Sequence, residues 1–180
     1  GRGLGFSLTE KYLQRGDTVF AGIQNENDAI KALAGKYKET LTVIKCDVTD
    51  EAAVSAAAAM VASKAGTLDI IINNAGEHFE TAYLTLENFD FDAAKLTYDI
   101  NALGSLRVSK HFLPLVEKGD KKLIVNISSE AGSIADCWRD KEYDYCMSKA
   151  AFNMQSMIMQ NYLRPRRIKV LAVHPGWMRT

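Results

Sequence analysis

LTVIKCDVTDEAAVSAAAAMVASKAGTLDIIINNAG, residues 41–76, is the stretch that decides the fold. A short apolar run, LTVIKC (41–46), precedes an alanine-rich segment (50–66), and a second apolar run follows it, LDIIIN (68–73). Within each run the apolar residues adjoin rather than alternate, as in strands covered on both faces. Alanine is the best helix former, so the segment between reads as a helix packed closely on a sheet, with Asp50 as its cap. Strand, helix, strand in that order is the unit from which parallel sheets are built.

The same alternation extends in both directions. DTVFAGI (17–23), KKLIVNIS (121–128) and IKVLAVH (168–174) read as strands, and helices are expected over 7–16, 26–37, about 85–117 and 144–163. The expected fold class is therefore α/β, with a doubly wound parallel sheet in three layers, α/β/α, forming a single domain over 1–180. The ends are unusual. No strand precedes GRGLGF (1–6), and HPGWMRT (174–180) stops just after a strand. A section of a longer protein is expected, lacking a first strand near the middle of the sheet and a C-terminal end.

The bulk numbers exclude several classes. With 180 residues, 47% of them hydrophobic, the chain can bury one sizeable core. Lysine plus arginine equals aspartate plus glutamate, 22 each, so no overall field favours nucleic acid or an anionic membrane. A small, roughly neutral partner fits better. No apolar run approaches the roughly 20 residues of a membrane-spanning helix, so a cytoplasmic protein is expected. Three cysteines without CxxC spacing suggest neither a disulfide framework nor a metal site.

Residues with chemistry in them gather at the carboxyl ends of the expected strands, where open α/β sheets bind ligands. Gly3, Leu4 and Gly5 form a G-x-G before a helix expected to begin near Phe6, so its first N–H groups and its dipole can meet a pyrophosphate. Asp47, with Val48 beside it, ends the second strand and can accept hydrogen bonds from an adenine amine. NNAG (73–76) brings Asn74, Ala75 and Gly76 to the end of the third strand, where glycine permits close approach of a ligand. A carboxylate at the end of TVFAG would favour a free ribose 2′-hydroxyl, but Gly22, Ile23 and Gln24 stand there. Arg2 can pair with a 2′-phosphate instead. NADP(H) is thus the expected cofactor, with NAD(H) the alternative.

EYDYCMSKAAF (142–152) opens the last long helix with two tyrosines and a lysine. Residues advance about 100° each, so Tyr145 and Lys149 share a face, whereas Tyr143 and Lys149 lie about 120° apart. An ammonium near the Tyr145 phenol is expected to lower its pKa towards a value useful for proton transfer to a carbonyl oxygen. In VNISSEAG (125–132), Ser128 or Ser129 can hydrogen-bond a substrate oxygen at the same rim. Asn101, of low helix propensity within a long helical segment, marks a bend or a bound water.

Taken together, G-x-G at 3–5, NNAG at 73–76, Asn101, the serine pair before EAG, YCMSK at 145–149 and HPG at 174–176 resemble classical short-chain dehydrogenases/reductases in order and spacing. The closing MSKAAFNMQSM and VLAVHPGWMRT segments look most like the branch of sniffer-like carbonyl reductases and C-signal proteins. The resemblance implies a Rossmann-type fold and an NADP(H)-dependent oxidoreductase acting on a small carbonyl or alcohol. It implies Tyr145 as general acid and base, and Lys149 as the residue that holds the nicotinamide ribose. Ser129 would orient the carbonyl, with Ser128 the fallback, and Asn101 would hold a relay water. Pro175 and Gly176 would border the nicotinamide, with Thr180 at its carboxamide. A homo-oligomer with a helix-mediated contact is also implied. The C-signal likeness raises a second reading, a dinucleotide-binding signalling protein with incidental turnover. His78 can touch a substrate but reads as solvated, His174 reads as structural, and most of Met147, Met154, Met157 and Met159 as core.

Overall fold

The computed structural model describes residues 2–176. Its strands are β1 (Val19–Ile23), β2 (Leu41–Lys45), β3 (Ile70–Asn73), β4 (Leu123–Ile127) and β5 (Lys169–Val173). The helices between them are α1 (Gly3–Gln14), α2 (Asp28–Lys36), α3 (Glu51–Lys64), α4 (Phe91–Tyr98), α5 (Ser105–Val116) and α6 (Tyr143–Leu163). Asp50 caps α3 as expected, accepting from the Ala52 and Ala53 N–H groups, and Ala57 and Ala58 are buried on its inner face.

All pairing is parallel, but it falls into two hydrogen-bonded groups, β1–β2 and β3–β4–β5, rather than one continuous sheet. Among the described residues no strand pairs with the second edge of β1 or of β3. Side chains bridge the two groups: Ile44 from β2, Ala57 and Val61 from α3 and Leu115 from α5 form one buried cluster, with Phe20, Leu68 and Phe112 against it. A second cluster holds α1 and α2 on β1–β2, and a third holds α5 and α6 on β3–β4–β5.

Register then places the rim. Asn73 lies opposite Asn126, and Asn126 opposite Ala172, so the segments starting at Asn74, Ser128 and His174 leave the sheet side by side. Beneath them Asn73 Nδ2 donates to Asn126 Oδ1 (2.8 Å) and Ser109 Oγ (3.2 Å), and Asn126 Nδ2 donates to Ser156 Oγ (2.7 Å), a fully buried polar ladder joining both strands to α5 and α6.

Three expectations need correction. Helix α1 starts at Gly3, so the G-x-G forms its first turn instead of preceding it. The expected helix over 85–117 is broken into two short 3₁₀ turns, α4, a π-helical turn over Asp99–Gly104, and α5. Of the four methionines on α6 only Met159 is buried, while Met147, Met154 and Met157 are exposed. Among the described residues no helix is long and apolar enough to cross a membrane.

Candidate active site

Helix α6 buries Ser148, Lys149, Phe152, Ser156, Met159 and Leu163, a three-and-four spacing that points one stripe at the sheet. Tyr143 lies off this stripe and packs edge-on against Phe89, centroids 6.0 Å apart. Tyr145 faces the rim. Gly132 permits the fit of the turn after β4 against α6, since a Cβ there would lie 2.5 Å from Asn153 Nδ2 and 2.6 Å from the Lys149 carbonyl oxygen.

Four expected residues meet here. Lys149 Nζ is 5.7 Å from the Tyr145 ring centroid and donates to the Ile127 carbonyl at 3.1 Å. Asn101, wholly buried in the π-helical turn, donates through Nδ2 to the Glu77 carbonyl (2.9 Å) and to Ser148 Oγ (3.0 Å), while its Oδ1 accepts from Glu77 N–H (2.8 Å). The bend expected at Asn101 is thus a widened turn whose side chain ties the segment after β3 to α6. Gly76 closes the group: a Cβ there would lie 3.3 Å from Asn101 Oδ1 and 3.6 Å from Lys149 Nζ. Ser128 donates to Asn153 Oδ1 at 2.5 Å and is thereby engaged, whereas the Ser129 hydroxyl hydrogen-bonds with Tyr145 and donates to Glu130 Oε2 at 2.9 Å. Ser129, not Ser128, faces the tyrosine.

The electrostatics differ from the expectation. Burial raises the Tyr145 pKa above the ordinary phenol value, and the Ser129 hydrogen bond is the main pull against it. Burial pushes Lys149 down from 10.5 to about 8; among the described residues its ammonium meets the Ile127 carbonyl and the faces of Tyr145 and Phe152. Lysine thus meets the tyrosine ring, and the hydroxyl is tuned by Ser129.

The expected cofactor residues form two groups. Gln24 Nε2 donates to Asp47 Oδ2 (2.8 Å), and Asp47 Oδ1 accepts from the Thr49 N–H (2.9 Å) and hydroxyl (2.7 Å), contacts that lower the Asp47 pKa, with the Thr49 hydroxyl foremost. Val48 packs on the bend, where a Cβ on Gly104 would lie 2.7 Å from its Cγ2. Around α1, a Cβ on Gly5 would lie 2.7 Å from Asn74 Nδ2, so helix start and NNAG segment approach closely. Arg2 pairs with Glu77 at 3.3 Å and does not meet Gln24. Leu4 and Ala75 lie within these two segments, and Pro175 and Gly176 follow β5 at the same rim. Thr180 lies outside the described residues.

A dinucleotide fits this set. Gly3 adopts φ 55°, open to glycine, and α1 begins with no side-chain cap, so its first-turn N–H groups are free for an anion. The buried Lys149 ammonium provides a second donor at the far end of the rim.

Comparison with known proteins follows the same lines. A family model described as short chain dehydrogenase matches residues 1–180. The chain belongs to the short-chain dehydrogenase family. This short-chain dehydrogenase is 37% identical over 115 residues to the C-signal protein of Myxococcus xanthus, covering 64% of the chain and 68% of that protein. It superposes on the NADPH-bound carbonyl reductase from chicken fatty liver with a TM-score of 0.89 at 32% identity, over 98% of this chain and 76% of that one. The sniffer carbonyl reductase of D. melanogaster shares the fold at a TM-score of 0.91 and 24% identity, over 98% and 77% of the two chains. The chain is accordingly an oxidoreductase of the short-chain type with a Rossmann-like α/β fold.

Three residues of this site, Arg139, Glu130 and Glu142, escaped the sequence reading. Arg139 donates from Nε to Glu142 (2.7 Å) and from Nη2 to Glu130 (2.7 Å). Glu142 also holds His78 at 2.8 Å, and the His78 ring stands edge-on to Tyr145, centroids 4.5 Å apart. His78 is therefore part of the rim and not merely solvated. Only the Arg139–Glu142 spacing of three was a local signal.

Proposed function

We propose that this short-chain dehydrogenase uses NADP(H) to interconvert a small carbonyl compound and its alcohol, with Tyr145 as general acid and base. The convergence of Ser129, Tyr145, Lys149 and Asn101 where β3 and β4 end supports it most directly. The name of the chicken neighbour, an NADPH-bound carbonyl reductase, supports the cofactor and the reaction class. The bound nicotinamide supplies the hydride in reduction and takes it up in oxidation.

The chain's own work is positional and protonic. The first turn of α1 holds phosphate oxygens through its N–H groups, and Arg2 leaves its exposed pairing with Glu77 for a 2′-phosphate. Gln24, Asp47 and Val48 border the adenosine half. Asn74, Ala75 and Gly76, with Pro175 and Gly176, border the nicotinamide half, and Lys149 donates to its ribose. Ser129 turns its proton from Glu130 to the substrate carbonyl oxygen. In reduction, the carbonyl carbon gains hydride while Tyr145 donates its proton to the oxygen; in oxidation, both transfers reverse. Asn101 Oδ1 keeps a second lone pair for a water that returns the proton. The exposed Met147, Met154 and Met157 on α6 support a homo-oligomer, which light scattering of the full-length protein tests.

Tyr145→Phe in the full-length protein should lower turnover of a carbonyl probe with NADPH by about 10³-fold while leaving NADPH affinity within threefold. Retained turnover would sink the assignment. The likeness to C-signal supports a second reading, a dinucleotide-binding signalling protein; NADPH binding without turnover of any carbonyl probe by the unaltered protein would favour it.

A further inference from the structure

We infer that Arg139 is a positioning residue that sets the spacing of Ser129 and Tyr145, by tying the residue after the serine to the residue that opens the tyrosine's helix. The inference rests on the catalytic reading of Ser129 and Tyr145 given above.

Ser129 and Tyr145 stand on separate elements, and the chain between them, 133–142, has no helix or strand. Ser128 and Gly132 hold the foot of the turn after β4 on α6, and among the described residues no backbone hydrogen bond of 133–142 adds a further tie between that turn and the helix. Arg139 adds one with its side chain. It is 9% exposed, and its fork is divided: Nη2 takes Glu130 Oε1 and Nε takes Glu142 Oε2, each at 2.7 Å. Its guanidinium also covers the Trp138 ring, 4.8 Å from the centroid.

Each carboxylate passes the constraint on. Glu130 Oε2 accepts from Ser129 Oγ at 2.9 Å and lies 3.4 Å from His174 Nδ1. Glu142 Oε1 holds His78 against the Tyr145 ring. Glu142 itself is left-handed, φ 62°, a conformation that a residue with a side chain keeps only when its surroundings over-determine it. Arg139, His78 and the bond from Glu142 N–H to the Ala82 carbonyl (2.8 Å) do so here. Arg139 is thus the middle of one connected arc from Ser129 to Tyr145, and a lysine could not divide itself in the same geometry.

A role in the reaction has a signature that mere folding lacks. Six side chains act on Tyr145: Ser129 by hydrogen bond, Glu130, Arg139 and Glu142 through charge, and His78 and Lys149 at its ring. Removing Arg139 leaves two uncompensated carboxylates beside the phenol and raises its proton affinity. The decline of reduction at high pH, which follows loss of the Tyr145 proton, should then move to higher pH.

The experiment compares full-length wild type, Arg139→Met, Arg139→Lys, Tyr145→Phe and the control Arg166→Met, which breaks an exposed pair with Glu117. The probe is 4-nitrobenzaldehyde with NADPH. Arg139→Met should lower kcat about 10- to 100-fold, the cost of a misplaced reacting group, with the NADPH Kd within twofold and the alkaline limb moved upward. Arg139→Lys should fall between, and Arg166→Met should match wild type. Unchanged kcat in Arg139→Met, or loss of kcat with an unmoved pH limb, overturns the inference. Should Arg139→Met fail to bind NADPH through misfolding, Arg139→Lys decides: reduced kcat with a moved limb supports it, and wild-type behaviour overturns it. Activity in Tyr145→Phe would instead overturn the catalytic reading beneath.

Discussion

The two halves of the rim are built on different terms. Where β3 and β4 end, the working side chains are buried and cross-tied: Asn101 is wholly buried, Lys149 is 5% exposed, and each hydrogen-bonds to a neighbouring element. Where α1 begins and β1 and β2 end, the Arg2–Glu77 and Gln24–Asp47 contacts are exposed, and the Arg2 side chain is 85% exposed. Buried polar groups without partners cost folding free energy, so the first half must be complete before any ligand arrives. Exposed ion pairs are worth little and can be exchanged for a ligand's charge. Under the proposed function, proton chemistry is assigned to the cross-tied half and charge recognition to the exposed one.

The sharpest way to break that contrast is Lys149→Met. Burial lowers the Lys149 pKa from 10.5 in the unfolded chain to about 8 in the folded one. Between those values the unfolded state binds more protons, so this residue makes stability rise with pH from about 8 to about 10.5. Below about 8 both states are charged and the penalty is present in full, at most about 3 kcal/mol for a shift of this size. Lys149→Met should therefore abolish turnover yet raise stability at pH 7 by an amount of that order, with the gain shrinking as pH rises towards 10. Denaturant unfolding of both proteins at pH 7 and pH 10 checks it; a variant less stable at pH 7 would show that the bond to Ile127 outweighs desolvation.

Next in size is the ladder beneath the site. Asn126→Ala removes one of the two partners of both Asn73 Nδ2 and Ser156 Oγ, the others being Ser109 Oγ and the Phe152 carbonyl, in a buried position, and should cost about 2 kcal/mol of stability. Because the ladder joins the strand ends to α5 and α6, it should also lower kcat while leaving the NADPH Kd unchanged. Equal loss of both would mean that the two halves are not independent.

This difference also decided what was legible in the sequence. Adjacent apolar runs alternating with helices marked every strand within two residues, and the four-residue spacing selected Tyr145 over Tyr143. Those signals are local. The π-helical turn at Asn101 was visible only as a poor helix former in an awkward place, because its cause is a set of bonds to Glu77 and Ser148, 24 and 47 residues away. Asn126 lay unremarked within a strand and Asn73 only opened the NNAG motif, since a ladder exists only once register sets them opposite each other. Arg139 sat in a charged loop with no periodicity, and its other carboxylate is nine residues distant. The expected effect of lysine on tyrosine failed for a similar reason: helical spacing gives proximity, but burial, invisible locally, dominates both groups.

The smallest expected effect falls on the exposed half, and it sharpens the comparison most. Among the described residues the Arg2 side chain makes one exposed contact, with Glu77, so Arg2→Ala should leave the unfolding midpoint unchanged. Its consequence should appear only when a 2′-phosphate is offered, because a charge-assisted hydrogen bond to that group is absent with NADH. Fluorescence titration of the full-length protein should show NADPH binding weakened about tenfold and NADH binding unaltered. Equal weakening of both would mean that Arg2 acts through Glu77, whose N–H and carbonyl are both held by Asn101, and would make the glycine turn an extension of the cross-tied half. Unchanged binding of both would move the 2′-phosphate contact to the end of β1, where Gln24 Nε2 gives one N–H to Asp47 and has a second to donate to phosphate.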